Sequence, residues 1–246
     1  MATSPRKLRE IQARETELLE LARELIATHG LRGLTMDKLA AASEFSKGTV
    51  YQHFASKEDL FAELAAAHMQ GRIERFARAA ALRGNSRERL TAVGLAEELY
   101  VLGNIPEYRM QMAITMEVFS SNARPDRMQR LMNLEMQCVA ITSGIVRDAI
   151  AAGDLELREH ASPEGLTLVL WGSYIGTFKM FACRDTDGGC PASQLGLDPI
   201  ANLNHHIQFL LDGYGWKPLS TEFDYLATRQ RVLDEVFPGE AHLLAR

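Results

Sequence analysis

Cysteine is scarce in this 246-residue chain. The three present, Cys138, Cys183 and Cys190, are an odd set that makes no disulfide framework and points to a reducing compartment, the cytoplasm. Long apolar runs are also missing. The opening MATSPRKLREIQARE has no apolar h-region, and the stretch from Thr167 to Phe181 is broken by Gly172, Ser173 and Gly176. It is too short to span a bilayer, so a soluble chain with no membrane partner is expected. Neither sign of charge dominates: 27 Lys and Arg against 32 Asp and Glu leave −5, so any polyanion site has to be a local patch. No HExxH, GxSxG, GxGxxG or Walker spacing occurs, nor the Glu-x-x-His pairs of a di-iron bundle, which argues against an enzyme. Cys183 and Cys190, with Asp185 and Asp187 between them, have the wrong spacing for a zinc knuckle. Gly196 stands where a calcium loop needs its closing acid, so no metal or cofactor is expected and the segment reads as a loop.

What is present is helical periodicity. Apolar residues recur at 3.6 nearly everywhere and almost nowhere at two, so the chain reads as all-α, with ten helices and no internal repeat. Leu18, Leu21, Ala22, Leu25 and Ile26 share one face of a first helix that should stop at His29-Gly30, where glycine accepts a left-handed cap. Thr35 is an N-cap for a short helix through Leu39 and Ala40, and Ser46 caps a second short helix. Ser56-Lys57-Glu58-Asp59 opens a long helix to about Leu82 in the manner of a capping box. Further starts fall at Ser86, Pro106, Pro125, Pro163 and Pro199; Gly153 closes the Pro125 helix, and a last one runs from Thr221 to Phe237.

Two short helices joined by a few residues and backed by a longer one is the arrangement of a helix-turn-helix, whose second helix enters a major groove. Val50 and Phe54 point inward, leaving Lys47, Thr49, Tyr51, Gln52 and His53 outward. Lys47 and Lys57 suit phosphates, Thr35, Thr49 and Tyr51 suit phosphate oxygens, Gln52 or His53 suits base edges, and Gly48 permits close backbone approach. Residues 1–57 hold nine basic and seven acidic side chains, a mildly positive end on an acidic remainder.

These residues also carry a resemblance. Thr35, Leu39-Ala40, Phe45-Ser46-Lys47-Gly48-Thr49-Val50-Tyr51, His53-Phe54 and Ser56-Lys57-Glu58-Asp59-Leu60 resemble the DNA-binding signature of TetR-type transcriptional regulators. One departure is Glu44, where that family usually has glycine in the turn; a positive φ there would strain a glutamate. The resemblance implies a DNA-binding domain over residues 1–57 and a helical effector-binding and dimerisation domain over 58–246. It further implies a small molecule that binds among the central helices, shifts the helix from Lys57 to Leu82 and releases the DNA operator.

A reading head that touches only about four to six base pairs needs two copies on a palindromic operator, so a homodimer is expected. Its interface is assigned to Leu168, Gly172, Ile175 and Gly176 on the Pro163 helix and to Leu203, Ile207 and Leu210 on the next. Methionines cluster from Met110 to Met136, and an adaptable thioether lining suits a largely apolar effector. The residues assigned to that pocket are His68, Phe76, Tyr100, Met110, Met116, Glu117, Met132, Trp171 and Lys179. Glu117 falls on an apolar stripe and Lys179 within an apolar run, so either could orient a polar head. Regulation by a protein partner on the last helix, or by thiol oxidation, is the alternative with the same head; a helical enzyme or carrier is the remaining one.

Overall fold

Every regular element among the described residues, 4–119, 123–183 and 190–245 with the side chains of Leu8 and Phe119 excepted, is helical in the computed structural model. In chain order these are α1 (Pro5–Gly33), α2 (Met36–Ala42), α3 (Lys47–His53), α4 (Lys57–Ala80), α5 (Ser86–Gly103), α6 (Ile105–Phe119), α7 (Pro125–Ala152), α8 (Pro163–Cys183), α9 (Pro191–Gln194), α10 (Pro199–Gly213) and α11 (Tyr225–Glu235), followed by a 3₁₀ turn. The unexpected helix is α9, inside the segment read as loop. Asp185 and Asp187 of that segment lie outside the described residues.

Contacts divide the chain into two compact units, Met1–Gln70 with Arg109–Leu134, and Gly71–Tyr108 with Glu135–Arg246. The division departs from the expected boundary at residue 57. The first part of α4 and the 109–134 stretch pack with the head, because Asp59 and Glu63 on α4 bond to Arg124 and Arg127.

In the first unit, α1 buries Leu18, Ala22 and Ile26. Gly30 takes the expected left-handed conformation, φ 71°, yet the helix resumes to Gly33, so the expected stop is a kink. Thr35 caps α2 and Ser46 caps α3, each side chain accepting a backbone N–H of the first turn. Between them, the Ser43 hydroxyl accepts from the Phe45 N–H at 3.3 Å. The positive-φ residue other than glycine among the described residues is His160, so Glu44 is unstrained. Ser43 closes the turn that a glycine was expected to make.

In the second unit, α5 begins with a reciprocal capping box between Asn85 and Glu88, α8 packs on α10, and α11 packs on α5. Leu203, Ile207 and Leu211 of α10 are buried inside this unit. Leu203 and Ile207 are therefore core residues and not the interface surface expected of them; Leu210 is half-buried. The reason is register: the apolar face of α10 is consumed by α8. By length and composition α8 is the one helix among the described residues able to cross a membrane, which corrects the expectation that this stretch is too short. It lays Leu166, Thr167, Leu170, Thr177, Phe178, Phe181 and Ala182 inside the unit.

Arg87 on α5 is fully buried. Its guanidinium donates to the carbonyls of Trp216 (2.7 Å), Pro218 (3.1 Å) and Gln208 (2.9 Å) and to the Gln208 side-chain oxygen, pairs with Asp212 at 2.7 Å, and lies 4.7 Å from the Tyr225 ring centroid. Removing it strands all those acceptors. Arg87→Ala is expected to cost about 3–5 kcal/mol of folding stability, read by urea denaturation. A loss below about 1 kcal/mol, the range of an ordinary surface change, would contradict that role.

Candidate DNA interface and effector cavity

The exposed face of α3 is made possible by what lies behind it. Val50 and Phe54 are fully buried together with Leu39, so the short helix is held by apolar packing and its other side is free to be polar. Thr35, Lys47, Gly48, Tyr51 and Gln52 are exposed and Thr49 is half-buried, as a groove-facing set requires. Lys47 Nζ lies 2.7 Å from Asp37, and the Tyr51 hydroxyl reaches the same oxygen at 3.4 Å. The hydrogen bond from Lys47 holds the Asp37 carboxyl below its usual range, and the same bond raises the lysine. Both side chains are well solvated, so this pair is readily exchanged for a phosphate.

Two expected DNA contacts are corrected. His53 is only 9% exposed, with Nδ1 3.5 Å from Glu15, because the last turn of α3 rotates it onto α1. Lys57 is half-buried; its ammonium donates to the Leu31 carbonyl at 2.6 Å and sits 5.1 Å from the Phe61 ring centroid. It ties the start of α4 to the end of α1 and so holds the head together.

Sequence reasoning missed Arg127, the residue that fixes α3 from below. It is 9% exposed and donates to Glu63 at 2.6 Å, to the His53 carbonyl at 2.7 Å and to Glu15 at 3.4 Å, with its guanidinium 4.9 Å from the Phe54 ring centroid. Arg130 also bonds to Glu63. A cation on the terminal carbonyl of α3 satisfies a group that the helix cannot satisfy itself, and it complements the helix dipole. The signal was faint: an arginine in the first turn of α7, where an acid is the favoured residue.

The second unit contains a cavity of about 80 Å³ walled by residues of α4, α5, α7, α8, α10 and α11. Phe76 and Trp171, two of the residues assigned to a pocket, are on its wall beside Tyr174, Leu170, Ile207 and Leu211. Its charges come in pairs: Arg72 donates to Glu97 at 2.6 Å, and Arg229 donates to Glu98 at 2.8 Å. The Cys138 thiol, also on the wall, is pushed up to about 11 by burial and stays neutral. Gly94 marks the tightest point: a Cβ there would stand 2.1 Å from the Tyr174 hydroxyl. A glycine inside a helix was a legible signal that sequence analysis did not use.

The other residues assigned to the pocket are elsewhere. Lys179 is exposed, on the same outward face of α8 as Leu168, Gly172 and Ile175, because leaving an ammonium in water avoids its desolvation. Glu117 is exposed for the same reason, and Met116 (74%) and Met132 (41%) lie outward. His68 and Met110 are half-buried in the first unit, outside the cavity wall. Tyr100 is in the second unit but off the wall; burial pushes its phenol up to about 12.

These elements define an all-helical protein with a helix-turn-helix head. Residues 18–64 match the profile of the bacterial regulatory proteins, tetR family. Over 55 residues the chain is 42% identical to the HTH-type transcriptional repressor KstR2 of Mycobacterium tuberculosis, covering 22% of this chain and 28% of that protein. The match thus spans little more than a quarter of that relative. Beyond the head the likeness is one of fold: a tetR-family regulatory protein from Rhodococcus has a TM-score of 0.60 at 18% identity, covering 82% of this chain and 97% of that one. FadR from Bacillus subtilis, solved with stearoyl-CoA, has a TM-score of 0.59 at 21% identity, covering 80% and 98%. The likeness to the tetR family thus rests on residues 18–64 in sequence and, beyond them, on fold alone.

Arg127→Ala is expected to lower affinity for operator DNA at least tenfold while leaving the salt dependence of binding intact, since Arg127 faces no phosphate. Affinity measured across a salt series checks both; unchanged affinity, or a shallower slope, would contradict the assignment.

Proposed function

We propose that this protein is a ligand-responsive DNA-binding transcriptional regulator, a repressor that holds a palindromic operator as a homodimer and releases it when a small molecule fills the cavity of the second unit. The observation that carries the reading is the exposed polar face of α3, Lys47, Gly48, Tyr51 and Gln52, mounted on buried Val50 and Phe54 in a head with the tetR-family profile. Lys47 and Thr35 neutralise or bond phosphates, and Gln52 reads a base edge. The protein acts in the bacterial cytoplasm, where its operator is.

Dimerisation falls to the outward face of α8. Leu168, Val169, Ile175 and Met180 are exposed at helical spacing with Gly172 and Gly176 between them, and Phe209 of α10 is 54% exposed. An uncovered apolar face of this size on a helix whose other face is already packed calls for a partner, and the glycines admit a second backbone closely.

The switch is proposed to run along α4. That helix carries Arg72 and Phe76 of the cavity wall and, further toward its start, Asp59 and Glu63, which hold Arg124 and Arg127. A shift of α4 by a filled cavity would move the brace under α3. Because the half-sites lie about 34 Å apart, a displacement of a few ångströms per head spoils simultaneous docking.

Gln52→Ala is expected to weaken operator binding by about 1–3 kcal/mol and to relax the choice of base at one position, whereas Lys47→Ala weakens all sequences alike and reduces the salt slope by about one. Mobility shift with the protein's own promoter DNA and single-base variants checks this; no effect from either substitution would end the DNA-binding reading. Leu168→Asp with Ile175→Asp is expected to convert a dimer to monomers in light scattering and to abolish tight operator binding. A monomeric parent protein would end the dimer reading.

A further inference from the structure

We propose that the cavity ligand is an uncharged, compact ring compound bearing a hydrogen-bond acceptor such as a ketone or lactone carbonyl, and not a carboxylate or a coenzyme A thioester. This rests on the reading of the second unit as the effector-binding part.

The argument begins with charge. An anionic ligand entering a partly desolvated site needs a cation whose charge is not already spent, because otherwise its own desolvation goes unrepaid. Both cations on the wall are spent. Arg72 is bound to Glu97 at 2.6 Å, with both side chains largely buried, and Arg229 is bound to Glu98 at 2.8 Å and to the Asn204 carboxamide oxygen at 3.3 Å. A carboxylate bound at Arg72 would stand beside Glu97 in a low-dielectric wall, where like charges repel strongly. The Cys138 thiol adds no charge, being held neutral.

The uncharged donors tell the opposite story. The Trp171 indole N–H is buried and meets no acceptor among the described residues, a costly arrangement unless a ligand supplies one. Gln208, half-buried on the wall, is a second uncharged donor. Its carboxamide oxygen accepts from two nitrogens of Arg87, at 2.9 and 3.2 Å, which fixes which end of the amide is the oxygen and leaves the NH₂ to be given away. Arg87 is fully buried and braced on three carbonyls, so this orientation is rigid. The hydroxyls of Thr91, Thr142 and Thr167 donate to carbonyls of their own helices and do not compete for the ligand's acceptor.

Size and shape complete the class. About 80 Å³ is small beside the several hundred typical of drug-sized sites: a compact ring compound needs the cavity to widen modestly, whereas a long acyl chain with a nucleotide head needs wholesale opening. Phe76, Trp171 and Tyr174 present aromatic rings, against which a flat ring packs well.

The experiment uses the full-length protein and four probes: 1-tetralone, tetralin, 1-tetralincarboxylate and stearoyl-CoA. Each is titrated by calorimetry and thermal shift, and then tested for release of operator DNA. Tetralone is expected to bind at least tenfold more tightly than the carboxylate. Trp171→Phe, which keeps the ring and removes the donor, is expected to weaken tetralone about tenfold and leave tetralin unchanged. Glu97→Gln frees the charge of Arg72 and is expected to reverse the preference toward the carboxylate; operator binding without ligand reports that each variant is folded. Carboxylate or stearoyl-CoA binding as tightly as tetralone overturns the proposal, as does the absence of tetralone binding at 1 mM or insensitivity of its binding to Trp171→Phe. The two readings separate cleanly: operator release by stearoyl-CoA keeps the ligand-responsive regulator and discards the neutral ligand. Tetralone binding without operator release keeps the ligand class and discards the switch.

Discussion

A guanidinium taken out of water needs acceptors for its N–H groups, and in the first unit the two terminal nitrogens of Arg127 find them on α1, α3 and α4 at once. The helix proposed to meet DNA is only seven residues long, too short to hold itself in place by its own hydrogen bonds. Apolar packing of Val50 and Phe54 sets its depth; the Arg127 bond to the His53 carbonyl, at its last turn, sets its direction. Packing alone is non-directional, whereas a fork of hydrogen bonds is not, and a reading head needs both. The carboxylate of Glu63 makes the arrangement tolerable by offsetting the buried charge.

The second unit repeats the device with Arg87, which gathers α10, the segment after it and the ring of Tyr225 around one buried cation. There the consequence is chemical. By fixing Gln208, Arg87 determines which polar atoms the cavity offers, while the ion pairs Arg72–Glu97 and Arg229–Glu98 remove net charge from its wall. A site can thus be rich in charged residues and still suit an uncharged guest, because the relevant quantity is charge left uncompensated after the protein has paired its own.

Much of the head was legible. The caps Thr35, Ser46 and Ser56, the positive φ at Gly30 and the exposed run Lys47, Gly48, Tyr51 and Gln52 follow from local rules acting within a few residues, and the structure places them as those rules require, although α1 resumes beyond Gly30 instead of stopping. His53 and Lys57 escaped those rules. Whether a side chain at the end of a short helix faces groove or protein depends on what lies behind it, here Glu15 on α1 and the Leu31 carbonyl, both distant in sequence. The pocket was the least legible part. Periodicity marks an apolar face without saying which neighbour covers it, so Met116, Met132, Glu117 and Lys179 were placed inward although they face out, and Leu203 and Ile207 were placed at a surface although α8 covers them.

From its order of residues alone, then, this chain settled that it is helical, where most helices begin, and that a capped pair of short helices leaves a polar face exposed; these depend on hydrogen bonds and periodicities no longer than a turn or two. Tertiary structure decided which arginines are buried, which carboxylates neutralise them, and which donors are left over at the cavity. Those outcomes hinge on partners far apart in sequence, 131 residues for Arg229 and Glu98, whose meeting no local pattern encodes because desolvation is a property of the assembled surroundings and not of the residue.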